Sequence, residues 1–523
     1  MKFLFYLFLA FFPFLLSAQQ YPIIAWQQQY GGTGDDRMND FLNLYDGGYL
    51  AVGSTTSSDG DIAANNGGQD AWVLRMNGEG NLLWEVAIGG NDTDVFNAIE
   101  ATEDGGYLLL GTSFSTENEL GAAHGDSDIW LVKINAKGEL LWSKLFGGSG
   151  KDVGIDLTAI GEGQYAIGGY TFSEDGDFTQ NRGDRDACIL VVDEMGELMW
   201  SKTYGGSEEE VFNAVKFEIQ SNRILAVGFT RSKDGDITDN KGFSDFWSVQ
   251  IAVNSGELLQ ETNYGGSSSD KAIAAVLLQN GEIAILGETL SSNGQVTDYR
   301  GQGDLWLIKT AMDGSLIWQK TLGTSVVETA YDLLQSGDGV LLVLGTSVSL
   351  AQSSTLSDVL LYKAFPEDGS VIWEFGISGS GDDVGNALAL SANGNFCLAG
   401  HTDSTDGDIG GGKKHGSHKA WILQVDDGST GIAEGKVKEA TLKVYPNPME
   451  GNRIFVLDAE KRFRASDSFV LYNILGEPLK VEVTAYSPER LVLEVKDWVS
   501  GMYFLEMCRE GRWDCEVLKV QKW

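Results

Sequence analysis

The chain has 523 residues, 42% of them hydrophobic, which is enough for more than one domain with a buried core. Its 75 acidic and 37 basic residues give a net charge of −38, and from Ala440 onward the two kinds nearly balance, at 13 to 12. The preceding part is therefore strongly acidic, and such a surface repels nucleic acid and anionic membranes, which excludes a nucleic-acid-binding role.

Residues 1–18 predict a secretory signal peptide. A single Lys2 precedes an apolar run from Phe3 to Leu16, and Ser17-Ala18 supplies a small-residue cleavage site. The run is shorter than the roughly 20 apolar residues of a membrane span. An uncleaved N-terminal anchor is the alternative. No later segment is long and apolar enough to span a membrane, so we expect an exported chain without a transmembrane segment.

A repeat of about 58 residues dominates residues 19–430. Its first landmark is a tryptophan, at Trp26, Trp84, Trp142, Trp200, Trp318 and Trp373, with Gln260 in the remaining slot. A glycine lies four residues before each landmark from the second onward. A second glycine follows an apolar run in all seven repeats, at Gly53, Gly111, Gly169, Gly228, Gly287, Gly345 and Gly400. Self-similarity at a fixed period indicates a repeat architecture.

Each repeat contains four predicted strands. In the second repeat they are Asn97–Thr102, Tyr107–Thr112, Asp128–Ile134 and Leu140–Phe146, joined by turns rich in Gly, Asp and Asn. Both faces of these strands are apolar, which is typical of a sheet covered on both sides. Four-stranded blades stacked around an axis meet that requirement, whereas one isolated sheet of this size does not.

The phase of the two ends predicts a closed ring. Trp26 belongs to the fourth strand type but has no preceding three strands, and the last repeat stops at its third type, Trp421–Val425. The N-terminal strand can therefore complete the last blade, giving an all-β, seven-bladed β-propeller without free sheet edges. An open array of small sheets is the alternative, and it leaves those ends unexplained.

The repeats also resemble known propellers. DGSLIW (Asp313–Trp318), with GELLW and GELMW elsewhere, resembles the Gly-x-x-x-Trp blade motif of quinoprotein-like propellers. The GGSG-D and DGD-I segments resemble repeats of secreted Bacteroidota propeller proteins of unassigned role. The resemblance implies the fold and leaves the activity open, because one fold hosts many functions.

Residues 431–440 form a polar linker, and residues 441–523 resemble the type A C-terminal sorting domain of type IX secretion. The resemblance rests on Tyr445-Pro446-Asn447-Pro448, the Tyr-Asn-x-x-Gly segment ending at Gly476, Gly501-x-Tyr503, and Lys519 in the terminal Lys-Val. It implies recognition by the type IX machinery after passage through the periplasm. The alternation of apolar residues and charged turns predicts a small β-sandwich.

The four cysteines divide into two kinds. Cys508 and Cys515 flank a turn centred on Gly511-Arg512, which predicts that they lie opposite each other across a hairpin. An exported chain permits a disulfide there, and the alternative is two free thiols. Cys188 and Cys397 lie in apolar strands of distant blades, and we expect them to be small buried residues.

Acidic loops between the second and third strands are the candidate binding site. The motif DGD supplies eight candidate calcium ligands: Asp59, Asp61, Asp175, Asp177, Asp234, Asp236, Asp406 and Asp408. Carboxylates two residues apart suit calcium, but the Glu that ends an EF-hand loop is missing. Asx turns explain the same residues without metal. These loops and the acidic crossings between blades emerge at one end of a four-stranded meander, so both acidic sets share a face.

No nucleophile elbow or phosphate-binding loop occurs in the sequence. The recurring Asp-x-Trp (first at Asp70 and Trp72) predicts strand entry and core packing rather than sugar stacking. We therefore expect a secreted or cell-surface monomer that binds a glycan, protein or cation on its acidic loop face. It would need no cofactor apart from the hypothetical calcium. The alternative is an enzyme, either a quinoprotein-like oxidoreductase or a polysaccharide-cleaving hydrolase.

Overall fold

The computed structural model describes residues 22–427, apart from 45, 117–122, 279, 349–355, 392–394 and 411–416, together with the strands of the C-terminal region. The predicted signal peptide and linker lie outside these residues. The chain divides into two compact units, Met1–Thr430 and Gly431–Trp523, and each is considered by itself. Within the described part, no helix is long and apolar enough to cross a membrane.

The first unit consists of seven antiparallel four-stranded sheets. After β1 (Ile23–Tyr30), blades one to three contain β2 (Asp36–Asn43), β3 (Tyr49–Thr55), β4 (Asp70–Met76), β5 (Leu82–Ile88), β6 (Asp94–Ala101), β7 (Tyr107–Ser113), β8 (Asp128–Ile134), β9 (Leu140–Phe146), β10 (Asp152–Gly161), β11 (Gln164–Thr171), β12 (Asp186–Val192) and β13 (Leu198–Tyr204). Blades four and five contain β14 (Glu210–Glu218), β15 (Arg223–Thr230), β16 (Asp245–Ala252), β17 (Leu258–Tyr264), β18 (Asp270–Leu277), β19 (Ile283–Thr289), β20 (Asp304–Thr310) and β21 (Leu316–Leu322). Blades six and seven contain β22 (Glu328–Gln335), β23 (Leu341–Val348), β24 (Ser357–Ala364), β25 (Val371–Ile377), β26 (Asp383–Leu390), β27 (Phe396–Thr402) and β28 (Lys419–Asp426).

The N-terminal strand closes the ring, as the sequence predicts. Blade seven has the order β1-β28-β27-β26, so β1 occupies the outer position that the fourth strand takes in every other blade. Its pairing with β28 runs from Ile23 opposite Asp426 to Tyr30 opposite Ala420. The seven-bladed propeller is thus confirmed, and the open array is wrong.

Burial increases from the outer strand toward the middle of each blade. In blades one and two the second and third strands, such as β3 and β4, are buried along their whole length, whereas the fourth strand is only partly covered. The third-strand tryptophans, including Trp72, Trp130 and Trp247, are fully buried between blades. The Asp-x-Trp motif is therefore strand entry and core, as predicted.

The two recurrent landmarks of the sequence pack against each other. The fourth-strand tryptophan of one blade covers the glycine in the last turn of the following blade. A Cβ atom built on Gly138 would lie 2.8 Å from the ring of Trp84, and one built on Gly196 would lie 2.6 Å from that of Trp142. These glycines have φ values of 82° and 73°, so only glycine suits both the turn and the ring. The shared period of Trp and Gly is therefore a contact between blades.

The second unit contains eight strands: β29 (Leu442–Tyr445), β30 (Arg453–Asp458), β31 (Ser468–Asn473), β32 (Pro478–Leu479), β33 (Val481–Ser487), β34 (Arg490–Val495), β35 (Gly501–Cys508) and β36 (Cys515–Lys522). They form two four-stranded sheets, with the orders β29-β30-β34-β33 and β32-β31-β35-β36. The register of β35 and β36 places Cys508 opposite Cys515, and the disulfide itself remains a prediction. Cys188 and Cys397 are free and buried, as expected.

Candidate functional site

The DGD loops lie at the end of the propeller where the chain crosses between blades. The first carboxylate of each loop accepts a backbone N–H from the crossing segment at 2.6–2.8 Å, and the second accepts another at 2.9–3.1 Å. In the fourth blade, Asp234 binds the N–H of Ser207 and Asp236 binds that of Gly205. Each motif therefore ties its loop to the crossing that leads into the same blade.

The fifth blade makes the same contacts without negative charge. Asn293 accepts the N–H of Ser267 at 2.9 Å, and Gln295 accepts that of Gly265 at 3.0 Å. The loop therefore needs a hydrogen-bond acceptor rather than a carboxylate at these positions. Among the described residues, no group of three or more His, Cys, Asp or Glu side chains is arranged to hold a metal ion. Calcium binding at the DGD loops remains a prediction of the sequence.

Replacing Asp234 and Asp236 by Asn should change the melting temperature in chelator by less than about 2 °C, because the amide oxygens can accept the same bonds. Replacing both by Ala should cost about 1–2 kcal/mol, because two backbone donors lose their partners. Calorimetry of both variants, with chelator and with millimolar calcium, checks this expectation. A calcium-dependent rise in the wild type that the Asn variant lacks would instead establish the metal site.

The central channel is lined by all seven inner strands and encloses a cavity of about 430 Å³. Each inner strand has a β-bulge at the same place, and in four blades the extra residue is an asparagine. The side chains of Asn39, Asn97, Asn213 and Asn386 each donate to a carbonyl oxygen of the next blade at 2.7–2.9 Å. The last of these bonds joins blade seven to blade one.

Acidic side chains next to the bulges reinforce this ring. Asp40, Asp156 and Asp332 each accept a backbone N–H of the following blade at 2.7–2.8 Å. Burial raises the pKa of Asp40 to about 8 and that of Glu100 to about 7. Lys216 forms an ion pair with Asp156 at 2.9 Å. Because the aspartates already accept backbone N–H groups, we interpret the polar groups of the channel as hydrogen-bonded contacts that hold neighbouring blades together.

The end of the propeller where the crossings emerge, which we call the mouth, carries an arc of aromatic and cationic side chains from blades three to five. We call this set the arc: Tyr170, Phe172, Arg185, Phe229, Arg231, Phe243 and Lys271. The guanidinium of Arg231 lies 4.1 Å from the ring centroid of Phe243, and that of Arg185 lies 4.6 Å from that of Tyr170. Lys271 lies 4.7 Å from the ring of Phe229. These distances are those of cation–π contacts.

Charge and exposure in the arc are both unusual for this chain. Arg185 and Arg231 approach the same oxygen of Glu209, at 3.5 and 3.0 Å, so two cations share one carboxylate. Phe243 is 61% exposed and Phe172 is 42% exposed. Exposed Leu290 continues the apolar surface into blade five beside Lys271. An exposed apolar patch with three cations therefore lies on a strongly acidic propeller.

The opposite side of the same mouth, in blades seven and one, has a different character. Asp35 contacts His418 at 3.0 Å and forms an ion pair with Arg37 at 3.0 Å. Burial alone would raise the pKa of Asp35, but these two partners lower it. Burial lowers the pKa of His401 to about 3, so that ring is neutral at physiological pH. This side of the mouth therefore carries a paired aspartate with basic neighbours and, among its described residues, has none of the exposed aromatic side chains of the arc.

Sequence reasoning located the acidic loops at the end where the crossings emerge but did not predict the arc at that end. Its members come from equivalent positions in different repeats, so no local motif contains them. Arg185 has Ser127 and Ser244 at the equivalent positions, and Arg231 has Phe172 and Leu290. Comparing aligned repeats position by position would have revealed where aromatic and cationic residues interrupt the pattern.

The C-terminal unit matches a known family. Residues 443–514 match the secretion system C-terminal sorting domain. Tyr445, Gly501, Tyr503 and Lys519 lie within described strands, whereas Pro446, Asn447, Pro448 and Gly476 lie outside the described residues. Their role in sorting remains a prediction residue by residue.

The propeller has weaker likenesses. The regulatory protein FlaEY of Caulobacter vibrioides is 23% identical over 233 residues, covering 41% of this chain and only 24% of the relative. A puromycin hydrolase mutant complexed with PGG is 11% identical, covers 83% of this chain and 61% of its own, and has a TM-score of 0.44. The WD40 domain of Toxoplasma gondii coronin is 10% identical, with coverages of 78% and 84% and a TM-score of 0.40. At these scores the structural likenesses carry no argument about activity.

Together, the closed ring of blades and the matched C-terminal region define an exported β-propeller protein. Its last unit is a type IX secretion sorting domain, which implies a Bacteroidota source. The chain is therefore exported by type IX secretion to the cell surface or the extracellular space.

Proposed function

We propose that this chain is a binding protein of the cell exterior, and that the arc binds an acidic surface of an extracellular protein. The observation that supports this proposal most directly is the pair Arg185 and Arg231, which share the single carboxylate of Glu209 beside exposed Phe243. A carboxylate from a partner would complete the charge balance of this pair. Aromatic residues and arginine are also the types enriched at the centres of protein interfaces.

A protein partner fits the arc better than a glycan or a cation does. Leu290 and Val327 extend the exposed surface with aliphatic side chains, which pack against apolar protein groups. The excess of cations repels a metal ion from this side of the mouth. Two of the acidic DGD loops lie in blades three and four, beside the arc, so like-charge repulsion would direct an acidic partner away from them and toward the arc.

The proposal is tested by presenting immobilised full chain with acidic peptides containing Phe or Leu, neutral peptides, and neutral and anionic polysaccharides. Selective binding of the acidic peptides, weakened by salt, is expected. Arg231→Glu should weaken this binding at least tenfold, whereas Lys137→Glu, an exposed position at the other end of the propeller, should not.

Binding of polysaccharides alone would contradict a protein partner and indicate that the ligand is a glycan. Product release from a polysaccharide, or a chromophore after reconstitution with quinone and calcium, would overturn the proposal in favour of an enzyme.

A further inference from the structure

Two carboxyl groups meet at each of five junctions between blades. One is the first residue of an inner strand, and the other is the first residue of the third strand in the preceding blade. The pairs are Asp70 with Asp94, Asp128 with Asp152, Asp186 with Glu210, Asp245 with Asp270, and Asp304 with Glu328. All ten side chains are at most 1% exposed. Two like charges in such a site would repel each other strongly.

A glycine leaves room for each pair. A Cβ atom built on Gly265 would lie 2.6 Å from Oδ1 of Asp245 and 2.8 Å from Oδ2 of Asp270. The corresponding distances at Gly147 are 2.4 Å to Asp128 and 2.6 Å to Asp152. The two oxygens of a pair therefore face the same small space, and the glycine is required because a side chain would occupy it.

In the pair of Asp245 and Asp270, the hydrogen bonds of the two carboxyl groups are unequal. Asp270 accepts from Thr289, from Ser291 at 2.7 Å and from the N–H of Gly266 at 2.8 Å, which satisfies both of its oxygens. Oδ2 of Asp245 accepts the N–H of Lys241 at 2.8 Å, but its buried Oδ1 has no hydrogen-bond partner. The same oxygen is unpartnered in the third-strand aspartates of the other four pairs: Asp70, Asp128, Asp186 and Asp304. An unpaired buried carboxylate oxygen is costly, whereas a protonated one can donate.

The junction that closes the ring supplies an internal comparison. Lys419 takes the place of the third-strand aspartate there, and its ammonium lies 3.3 Å from Oδ2 of Asp36. Asp36 accepts from Thr55 and Ser57, as Asp270 accepts from Thr289 and Ser291. At the closing junction, where the third strand begins with a lysine, the inner-strand carboxylate thus receives a hydrogen-bond donor from the preceding blade.

We infer that at the five junctions with these carboxyl pairs the third-strand aspartate carries a proton and donates it to the inner-strand carboxylate, so that shared protons join the blades in mildly acidic solution. Burial and then the charge of Asp270 raise the pKa of Asp245 to about 6, while Lys241 opposes them. Asp186 is raised to about 6 in the same way, with Glu210 raising and Arg182 lowering its pKa. Tyr299 also faces Asp270 and stays neutral, because burial and the surrounding carboxylates raise its pKa.

These raised pKa values make the folded chain less stable as the pH rises. A carboxyl whose pKa is raised on folding binds more protons in the folded chain than in the unfolded chain, whose aspartates titrate near 3.9. For Asp186 and Asp245, whose pKa values are about 6 in the folded chain, this stability is fully present below about pH 4 and is lost as the pH rises through about 6. At pH 8 Asp186 and Asp245 are ionised, so their two junctions lose the shared proton.

Melting of the full chain in chelator tests the inference. The wild type should melt several degrees lower at pH 8 than at pH 5. Asp245→Asn carries a permanent donor, so it should melt about 2 °C or more above the wild type at pH 8 and near it at pH 5. Asp313→Asn, at an exposed turn, is the matched control and should change neither value.

Two outcomes would overturn the inference. One is an Asp245→Asn variant that melts below the wild type at both pH values. The other is a rise in wild-type melting at pH 8 on adding calcium or sodium that Asp245→Asn lacks, since the pair would then hold a metal ion. If the variant fails to fold, the infrared band of protonated carboxylic acid in the wild type decides. It should lose intensity between pH 5 and pH 7, below the range in which Asp40, with a pKa of about 8, ionises. An unchanged band over that range would overturn the inference.

Discussion

Deleting Ile23–Tyr30 from the full chain should abolish the cooperative melting of the propeller, because this strand closes the ring. It pairs with β28 along its length, and Gln27 both accepts from the ring nitrogen of Trp421 at 3.1 Å and donates to the carbonyl oxygen of Asp408 at 2.8 Å. Trp26 covers Gly80 in blade one. The deletion would expose the edge of β28 in blade seven and would also expose the turn at Gly80 in blade one.

Calorimetry and near-ultraviolet circular dichroism measure this effect. A synthetic peptide of residues 22–31, added in excess, should restore part of the transition by pairing with β28, whereas a scrambled peptide should not. Deleting the predicted linker 431–440 is the control, because the last described blade strand ends at Asp426. A deleted chain that melts like the wild type would contradict the role of β1 in closure.

Removing Leu442–Trp523 should abolish delivery to the cell surface while leaving the propeller folded. The two compact units separate at residue 430, and the match to the sorting family lies entirely in the second unit. The truncated chain should therefore accumulate in the periplasm with the melting temperature of the intact propeller. The loss should be nearly complete, because a sorting signal acts as an address rather than as a contribution to stability.

Protease accessibility on intact cells, compared with fractionated periplasm, measures the location. The full chain with Phe243→Ser is the control, since it alters the arc and keeps the sorting domain, and it should still reach the exterior. Truncated protein at the surface in the amount of the full chain would contradict the sorting assignment. Truncated protein that is absent from both compartments would indicate instead that the propeller needs its C-terminal unit to fold.

Sequence reasoning reached most of the fold because each repeat carries its own signals. Trp84 and Gly138 recur together because they are in contact, and the phase of Trp26 reveals the closing strand because a blade needs four strands. The landmarks and the phase of the closing strand depend on residues close in the chain or on the repeat period, so the sequence alone predicts them.

The polar contacts between blades could not be predicted from the sequence. Asp245 and Asp270 lie in different repeats, and their pairing depends on how one blade packs on the next. The DGD loops were located correctly, but the hydrogen bonds from the crossing segments became visible only in three dimensions. The arc was not predicted because Arg185, Arg231 and Phe243 depart from the repeat pattern, and the sequence analysis relied on residues that recur from repeat to repeat.

The central claim, that the arc is the binding surface, is tested most directly by the dissociation constant of the full chain for the best acidic peptide of the screen. Phe243→Ser and Met195→Ser each remove an exposed apolar side chain, 61% and 59% exposed, at the mouth and at the opposite end. Phe243→Ser should weaken binding by about 30-fold, the effect of a contact worth about 2 kcal/mol, and Met195→Ser should leave it unchanged. Equal affinities in both variants and the wild type would contradict the claim.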